Sequence, residues 1–244
     1  MTENLQSEVL LQARNLSMAF GGLVVFKDIS LNINKHQIVA LIGPNGAGKT
    51  TLINCITGVY KPTRGKILFQ NRTISGMRPH RICRAGIGRT YQIPRPFMNM
   101  SVLQNLQVCA QPEQADFKGL LDLAGLWEKR NRLAKTLTFQ ERRLLELSRA
   151  LAVNPKLLLL DETIAGLNPS ETKDMMAILS RIHAEFKVTI LWVEHVMSAI
   201  METAHHIFCL HQGALIADGC PADIANDDKV IEAYLGEEYK FAKK

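Results

Sequence analysis

The segment 41–51 contains the spacing Gly-x-x-x-x-Gly-Lys-Thr, which is typical of loops that bind the phosphates of a nucleotide. An apolar run before it predicts a buried strand, and apolar residues at helical spacing after it predict a helix. A strand, a glycine loop and a helix N-terminus together present backbone N–H groups to a polyphosphate. We expect Lys49 to reach the β- and γ-phosphates and the Thr50 hydroxyl to bind Mg²⁺. A glycine-rich turn that merely connected two elements would not require this lysine and threonine.

Further polar residues follow predicted strands elsewhere in the chain. Asp161 and Glu162 come directly after a run of four leucines that predicts a buried parallel strand. Beside a phosphate loop, Asp161 is expected to bind Mg²⁺, and Glu162 to polarise a water for attack on the γ-phosphate. Gln92 could reach the metal and that water, and His195 could contact the γ-phosphate. Each of these residues is commonly structural when it occurs alone, so the phosphate loop favours the functional interpretation.

The remaining segments supply the elements that must position these residues. Strands predicted over 9–20 and 24–34 can form a small antiparallel sheet over the nucleotide base, with Phe20 stacked on the base. An ordinary core position for Phe20 is the alternative. The pattern predicts an α/β fold with a nucleotide-binding core of residues 1–93 and 153–244 and a helical insert of residues 94–152. Thr138 and Glu141 predict a capping box at the start of the last helix of the insert.

Three expectations concern single elements. A strand is predicted over 87–92, with Gln92 at its end. A helix is predicted over 170–186, with Ser170 as its cap, and a helical tail over 222–239.

The composition limits the class of protein. The 244 residues are 47% hydrophobic, which permits one large α/β domain, and the net charge of +6 comes without a dense basic block. No apolar run approaches the ~20 residues needed to cross a bilayer, and the N-terminus does not have the pattern of a signal peptide. Five scattered cysteines indicate reduced thiols rather than disulfides or a zinc site.

With these motifs assembled in order, the chain resembles the ATP-binding subunits of ATP-binding-cassette (ABC) transporters over nearly its whole length. The resemblance implies that Glu162 and His195 are catalytic and that Thr50, Gln92 and Asp161 serve the metal. It also implies a set of nucleotide-binding residues, namely Phe20, Gly43, Pro44, Asn45, Gly46, Ala47, Gly48, Lys49, Thr50 and Thr51. Three stretches are similar to the branched-chain amino-acid import group: Gly-Arg-Thr-Tyr-Gln at 88–92, Ala-Gly-Leu-Asn-Pro at 165–169 and Val-Ile-Glu-Ala-Tyr-Leu-Gly at 230–236.

The same resemblance implies ATP hydrolysis that drives import of branched-chain or related amino acids, with ATP and Mg²⁺ as cofactors. Two such subunits would enclose two ATP molecules head to tail, and each site would be completed by the signature loop of the partner. In this chain that loop comprises Thr138, Phe139, Gln140 and Glu141. The implied partners are a second ABC ATPase subunit (as a homodimer or heterodimer), integral membrane permease subunits and an extracytoplasmic solute-binding protein, but no nucleic acid. The chain would lie peripherally at the cytoplasmic face of the inner membrane.

Three departures from the family pattern carry expectations of their own. Gln140 stands where the signature, usually Leu-Ser-Gly-Gly-Gln, has its second glycine, so its Cβ could push the γ-phosphate away. We therefore predict that the ATP site completed by this loop, which belongs to the partner, is slow. Thr163 stands where proline usually follows the catalytic glutamate, and the helical insert is short for the group.

Other functions fit the sequence less well than that of a transport ATPase. A nucleotide-responsive regulatory module with weak hydrolysis would be consistent with Gln140 and the short insert, but Glu162 and His195 oppose it. Soluble ABC proteins of translation or DNA repair generally carry two cassettes or long coiled coils, for which this chain has no room. A small-molecule kinase would not explain the ordered set of Gln92, Asp161, Glu162 and His195.

Overall fold

The computed structural model describes residues 8–110 and 116–235, and its strands form two sheets. In chain order the strands are β1 (Val9–Phe20), β2 (Leu23–Asn34), β3 (Ile38–Ile42), β4 (Arg64–Phe69), β5 (Arg72–Thr73), β6 (Ile87–Arg89), β7 (Leu157–Asp161), β8 (Thr189–Val193), β9 (His206–His211) and β10 (Ala214–Gly219).

Helices lie in the longer segments between these strands and after β10. They are α1 (Lys49–Ile56), α2 (Pro79–Arg84), α3 (Val102–Gln107), α4 (Phe117–Leu123), α5 (Phe139–Leu151), α6 (Pro169–Phe186), α7 (Met197–Thr203), α8 (Pro221–Ala225) and α9 (Asp228–Leu235), with short 3₁₀ turns at Trp127–Lys129 and Ala134–Thr136.

The first sheet is antiparallel, in the order β2-β1-β4-β5, and it begins as a hairpin. Gly21 lies in the hairpin turn with φ at +58°, a conformation that glycine adopts without the steric cost of a side chain. The second sheet has the order β10-β9-β3-β8-β7-β6, and all of its pairs are parallel except β10 with β9. The predicted α/β fold with a small antiparallel sheet is confirmed.

The parallel sheet separates two hydrophobic clusters, because side chains alternate between its faces. Leu157 and Leu159 of β7 pack with the antiparallel sheet and with α1. Leu158 and Leu160 pack with α5, with α6 and with the helices that precede α5. Both β7 and β8 are buried along their full length, so their polar residues can reach a ligand only at the strand ends. The division of the chain into a core and an insert at residues 94–152 stays a prediction.

Three single-element predictions were wrong. The strand predicted over 87–92 ends at Arg89, because the N–H groups of Tyr91 and Arg95 donate to the Glu146 carboxylate instead of pairing with a strand (2.9 Å each).

The cap of α6 is Asn168 rather than Ser170. Its side chain accepts from the Glu171 N–H at 2.9 Å, and the Glu171 carboxylate accepts from the Asn168 N–H at 3.0 Å.

The third error concerns the C-terminal tail, which is not one helix. Helix α8 ends at Ala225, and α9 begins at Asp228. The Asp227 carboxylate accepts from the N–H groups of Lys229 and Val230, at 2.8 and 3.2 Å, so it satisfies the first turn of a separate helix. The predicted continuation over 236–239 lies outside the described residues.

Two further features agree with the composition. All five cysteines are free thiols. Within 8–110 and 116–235, no helix combines the length and the apolarity that crossing a bilayer requires.

Candidate active site

The phosphate loop joins β3 to α1 and is shaped by close packing at its first glycine. Gly43 has φ at +145°, and a Cβ there would come within 1.9 Å of the Leu210 carbonyl oxygen on β9. Gly46 and Gly48 also have positive φ, at +81° and +107°, and a Cβ at Gly46 would meet nothing within 4 Å. Gly43 therefore allows the loop to pack against β9, whereas Gly46 faces open space.

The N-terminus of α1 is suited to an anion. The helix begins after Gly48 without a side-chain cap, and its first turn contains no acidic residue. The first N–H groups of a helix lack intrahelical acceptors, and the helix dipole favours negative charge there. These features fit the triphosphate of ATP.

Lys49 is held inside the loop that it is predicted to serve. Its ammonium donates to the carbonyl oxygens of Gly43 and Pro44, at 2.6 and 3.0 Å. Burial lowers the pKa of Lys49, and the nearby carboxylates of Glu162 and Asp161 oppose that change. A buried ammonium surrounded by carbonyl oxygens can exchange these partners for phosphate oxygens.

Tyr234 on α9 contacts the same loop, which the sequence analysis did not foresee. Its hydroxyl accepts from the Gly43 N–H at 2.7 Å. Burial raises the pKa of Tyr234 to about 12, so the hydroxyl stays protonated at neutral pH. In the sequence, segment 230–236 indicates only a family likeness, and because 191 positions separate Gly43 from Tyr234, no local pattern predicts the contact.

Asp161, at the end of β7, forms a buried ion pair with Arg89. The guanidinium lies 3.1 Å from one carboxylate oxygen, and the two side chains are 8% and 5% exposed. Arg89 also donates to the Asn54 side chain at 2.7 Å and to the Thr57 hydroxyl at 3.2 Å. Burial raises the pKa of Asp161, while Arg89 holds the rise back. Arg89 follows two buried residues in a short strand, and a buried arginine needs a counter-charge. The sequence could therefore predict that a partner exists, but it does not identify Asp161 as that partner.

The donor set at this edge also fits Mg²⁺. Within the part of the chain that the structure describes, the second carboxylate oxygen of Asp161 has no hydrogen-bond partner. Thr50, in the first turn of α1, adds a hydroxyl, and Mg²⁺ prefers such hard oxygen donors.

Glu162 and Gln92 lie together, as their predicted roles require. The Gln92 amide donates to the Glu162 carboxylate at 2.5 Å. Glu162 has φ at +49°, a left-handed backbone conformation that costs a residue with a side chain roughly 1–2 kcal/mol. Its N–H donates to the Val193 carbonyl at 2.9 Å.

Arg143 on α5 binds the backbone carbonyl groups of this segment. Its guanidinium donates to the carbonyl oxygen of Glu162 at 3.1 Å and also to that of Thr163. The guanidinium lies 4.7 Å from the centre of the Phe139 ring.

Thr163, where the family usually has proline, has a definite partner. Its hydroxyl accepts from the indole N–H of Trp192 at 3.1 Å. Trp192 is fully buried, so without this oxygen its donor would lose the bond. The threonine and the tryptophan therefore fit each other, and this departure from the family pattern has a structural cause.

His195 follows β8 but is not joined to the other candidates. Its side chain is 53% exposed, and its ring lies 3.9 Å from the carboxylate of Glu194. Among the described residues, no hydrogen bond links the ring to Gln92, Asp161 or Glu162. Glu194, to which no role had been given, is fully buried and accepts from the Ile164 N–H at 2.8 Å. Burial raises its pKa.

Phe20 lies at the surface rather than in the core, so the core alternative is wrong. Its side chain is 44% exposed and meets Tyr60 edge to face, with 5.0 Å between ring centres. An exposed aromatic ring at this end of β1 is accessible for stacking on a base.

The predicted signature loop forms the first turn of α5. The Thr138 hydroxyl accepts from the Glu141 N–H at 3.2 Å, and the Glu141 carboxylate accepts from the Thr138 N–H at 2.9 Å, so the predicted capping box is confirmed. Lys129 pairs with Glu141 as well. Phe139 is 46% exposed and Gln140 is half-buried. The loop thus has an accessible face, while two of its polar side chains stabilise its own helix.

Two known families match segments of this chain. Residues 26–165 match the ABC transporter family, and residues 214–240 match the family of branched-chain amino acid ATP-binding cassette transporters.

Similar proteins have closely related names. The chain is 38% identical to the high-affinity branched-chain amino acid transport ATP-binding protein BraF of Pseudomonas aeruginosa, over 95% of this chain and 99% of that protein. It is 40% identical, with the same coverage, to the LivG protein of Escherichia coli K12, which has the same description.

Solved structures are similar as well. An ATP-binding cassette of an ABC transporter in its ADP conformation is 30% identical with a TM-score of 0.84, over 95% of this chain and 100% of that one. A nucleotide-free cassette is 29% identical with a TM-score of 0.82, over 94% and 100%.

Proposed function

The chain belongs to the ABC transporter family, and on that premise we propose that it energises import of branched-chain or related amino acids. It is an ATP-binding subunit that hydrolyses ATP, dimerises and works with membrane permease components. The names of its relatives favour this function over that of a regulatory module. One structural observation supports the proposal most strongly: the phosphate loop follows β3, Glu162 follows β7 of the same sheet, and the Gln92 amide contacts the Glu162 carboxylate.

The proposed mechanism assigns each step to residues of this chain. The loop residues from Gly43 to Thr51 and the N-terminus of α1 bind the phosphates, and Lys49 moves from the loop carbonyls to the β- and γ-phosphates. Gln92 orients the attacking water, and the carboxylate of Glu162 accepts its proton. His195 meets the γ-phosphate after its exposed side chain turns inward. Phe20 stacks on the base.

We propose that Thr50, Gln92 and Asp161 would hold Mg²⁺. An ion held there with ATP would neutralise charge on the phosphate oxygens. Arg89 keeps one oxygen of Asp161 in place and leaves the other for this role.

For the assembly, we propose a pair of two different ATPase chains on the permease, at the cytoplasmic face of the inner membrane, served by an extracytoplasmic solute-binding protein. The site on the phosphate loop of this chain is the competent one. The site that Gln140 completes belongs to the other chain and is slow.

Copurification tests the assembly. Glu162→Gln is expected to hold the closed state with Mg-ATP, so a detergent pull-down from native membranes should recover a polytopic permease and a second ATPase chain, identified by mass spectrometry. Recovery of soluble proteins alone, or of a self-dimer alone, would contradict the proposal.

Turnover of the recovered complex tests the base. Loss of a general base typically lowers the rate by a factor of about 100 or more, so Glu162→Gln should lower kcat by at least that much while ATP still binds. Glu185→Gln makes the same chemical change in an exposed pair with Arg181 and should leave kcat unchanged. Undiminished hydrolysis in Glu162→Gln would refute the assignment of the base.

A further inference from the structure

Arg143 connects two parts of the chain that serve different ATP sites. It lies on α5, the helix whose first turn is the signature loop facing the nucleotide of the partner in the proposed assembly. Its guanidinium nevertheless donates to the carbonyl oxygens of Glu162 and Thr163, next to the proposed base of the site on this chain. The residue is 9% exposed, so these bonds are shielded from water.

The backbone at Glu162 needs such support, because its φ is +49° and the residue has a side chain. The segment 162–164 is held at both ends. Arg143 binds its first two carbonyl groups, and the fully buried Glu194 accepts from the Ile164 N–H at 2.8 Å. The direction of the Glu162 carboxylate toward Gln92 depends on this backbone.

The same guanidinium of Arg143 also contacts the exposed first turn of α5. Its guanidinium carbon lies 4.7 Å from the centre of the Phe139 ring, within cation–π range, and the ring is 46% exposed. A ligand that packs on the ring would therefore restrict the ring and, through this contact, the guanidinium.

We propose that Arg143 is a positioning residue for Glu162 and that it transmits the state of the signature loop to the ATP site on this chain. When the nucleotide of the partner meets the loop, Phe139 fixes the guanidinium, and the guanidinium fixes the backbone of Glu162. The inference rests on the proposed function, since it needs Glu162 as the base and a partner site at α5.

The first test replaces Arg143 in the complex recovered above. Arg143→Met keeps a long apolar stem and removes every donor, so kcat should fall by about 100-fold while the KM for ATP stays within about twofold, because misplacement by ~1 Å can cost that much. Arg143→Lys keeps one cation and should give an intermediate kcat. Arg130→Met is the matched control. Arg130 also donates to a carbonyl, that of Trp127 at 3.1 Å, and stacks on the Trp127 ring at 4.5 Å, but it contacts neither Glu162 nor Thr163.

A merely structural role predicts a different result. Arg143→Met would then lower Tm while kcat per folded molecule stayed at the wild-type value, and that outcome would overturn the inference. If Glu162→Gln also retains activity, the proposed function has failed. If Glu162→Gln is inactive while Arg143→Met is fully active, the inference alone has failed.

The second test addresses transmission between the two sites. Phe139→Leu keeps the apolar bulk and removes the π face that Arg143 contacts. In a single-turnover experiment, this change should slow hydrolysis at the site on this chain, although the loop faces the other site. A rate at this site equal to wild type would refute the link through Phe139.

Discussion

The phosphate loop and the signature loop both face nucleotide in the proposed assembly, but the fold constrains them very differently. Packing within this chain requires glycine at position 43, because a Cβ there would lie 1.9 Å from the Leu210 carbonyl oxygen. Gln140 lies in the first turn of an ordinary capped helix, and none of residues 138–141 has a positive φ. The fold therefore requires glycine in the first loop and tolerates a side chain in the second. A glycine at position 140 could be needed only for a ligand outside this chain.

The largest expected effect is the loss of Gly43. Gly43→Ala places a Cβ against backbone that cannot move alone, so unfolding free energy should fall by about 4 kcal/mol or more. Gly46→Ala is the control, because its φ is also positive but its Cβ meets open space. It should cost about 1–2 kcal/mol. Denaturant titration measures both, and equal losses would show that close packing does not distinguish Gly43.

The next largest effect concerns the signature loop. If the Cβ of Gln140 keeps a donor away from the γ-phosphate of the partner, Gln140→Gly should restore roughly 3 kcal/mol of transition-state stabilisation, or about 100-fold in rate at the slow site. The stability of this chain should change by only about 1 kcal/mol, the usual cost of glycine in a helix. Site-resolved hydrolysis and a melt check the two parts, and an unchanged slow site would remove the functional reason for Gln140.

Substitution of Thr163 tests whether its hydrogen bond from Trp192 explains why this chain has threonine where the family usually has proline. Thr163→Val keeps the shape of the side chain and strands the indole N–H of Trp192, so unfolding free energy should fall by about 2 kcal/mol. Thr163→Ser retains the hydroxyl and should recover most of that loss. If Thr163→Val and Thr163→Ser have equal unfolding free energies, the hydrogen bond from Trp192 does not contribute to stability.

The smallest effect is expected at Tyr234. Tyr234→Phe removes the acceptor of the Gly43 N–H, which should cost about 1 kcal/mol of stability and raise the KM for ATP. Tyr60→Phe is a suitable control, since the hydroxyl of Tyr60 makes no hydrogen bond among the described residues. A KM for ATP in Tyr234→Phe equal to that of the control would show that α9 does not support the loop.

The sequence predicts what is local. The phosphate loop, the capping box at Thr138 and the buried strand before Asp161 all follow from neighbouring residues, and the structure contains each of them. The buried pair of Asp161 with Arg89 joins residues 72 positions apart, and no local pattern identifies such a partner.

The errors have the same origin. The strand predicted to reach Gln92 ends early, because Glu146, on a distant helix, takes the N–H groups of Tyr91 and Arg95. The sequence shows that Thr163 is unusual for the family. The structure supplies the explanation, because the Thr163 hydroxyl accepts from the indole N–H of Trp192 on β8. Residues that act through long-range hydrogen bonds thus remain hidden until the chain is folded.

The central claim is that the site on the phosphate loop of this chain hydrolyses ATP and that the site completed by Gln140 is slow. The most direct test loads the purified complex with ATP without Mg²⁺, removes free nucleotide, adds Mg²⁺ and follows phosphate by rapid quench. We expect half of the bound ATP to be hydrolysed in a fast phase and the other half slowly, and we expect Glu162→Gln to remove the fast phase. Fast hydrolysis of all bound ATP, or a fast phase that survives Glu162→Gln, would contradict it.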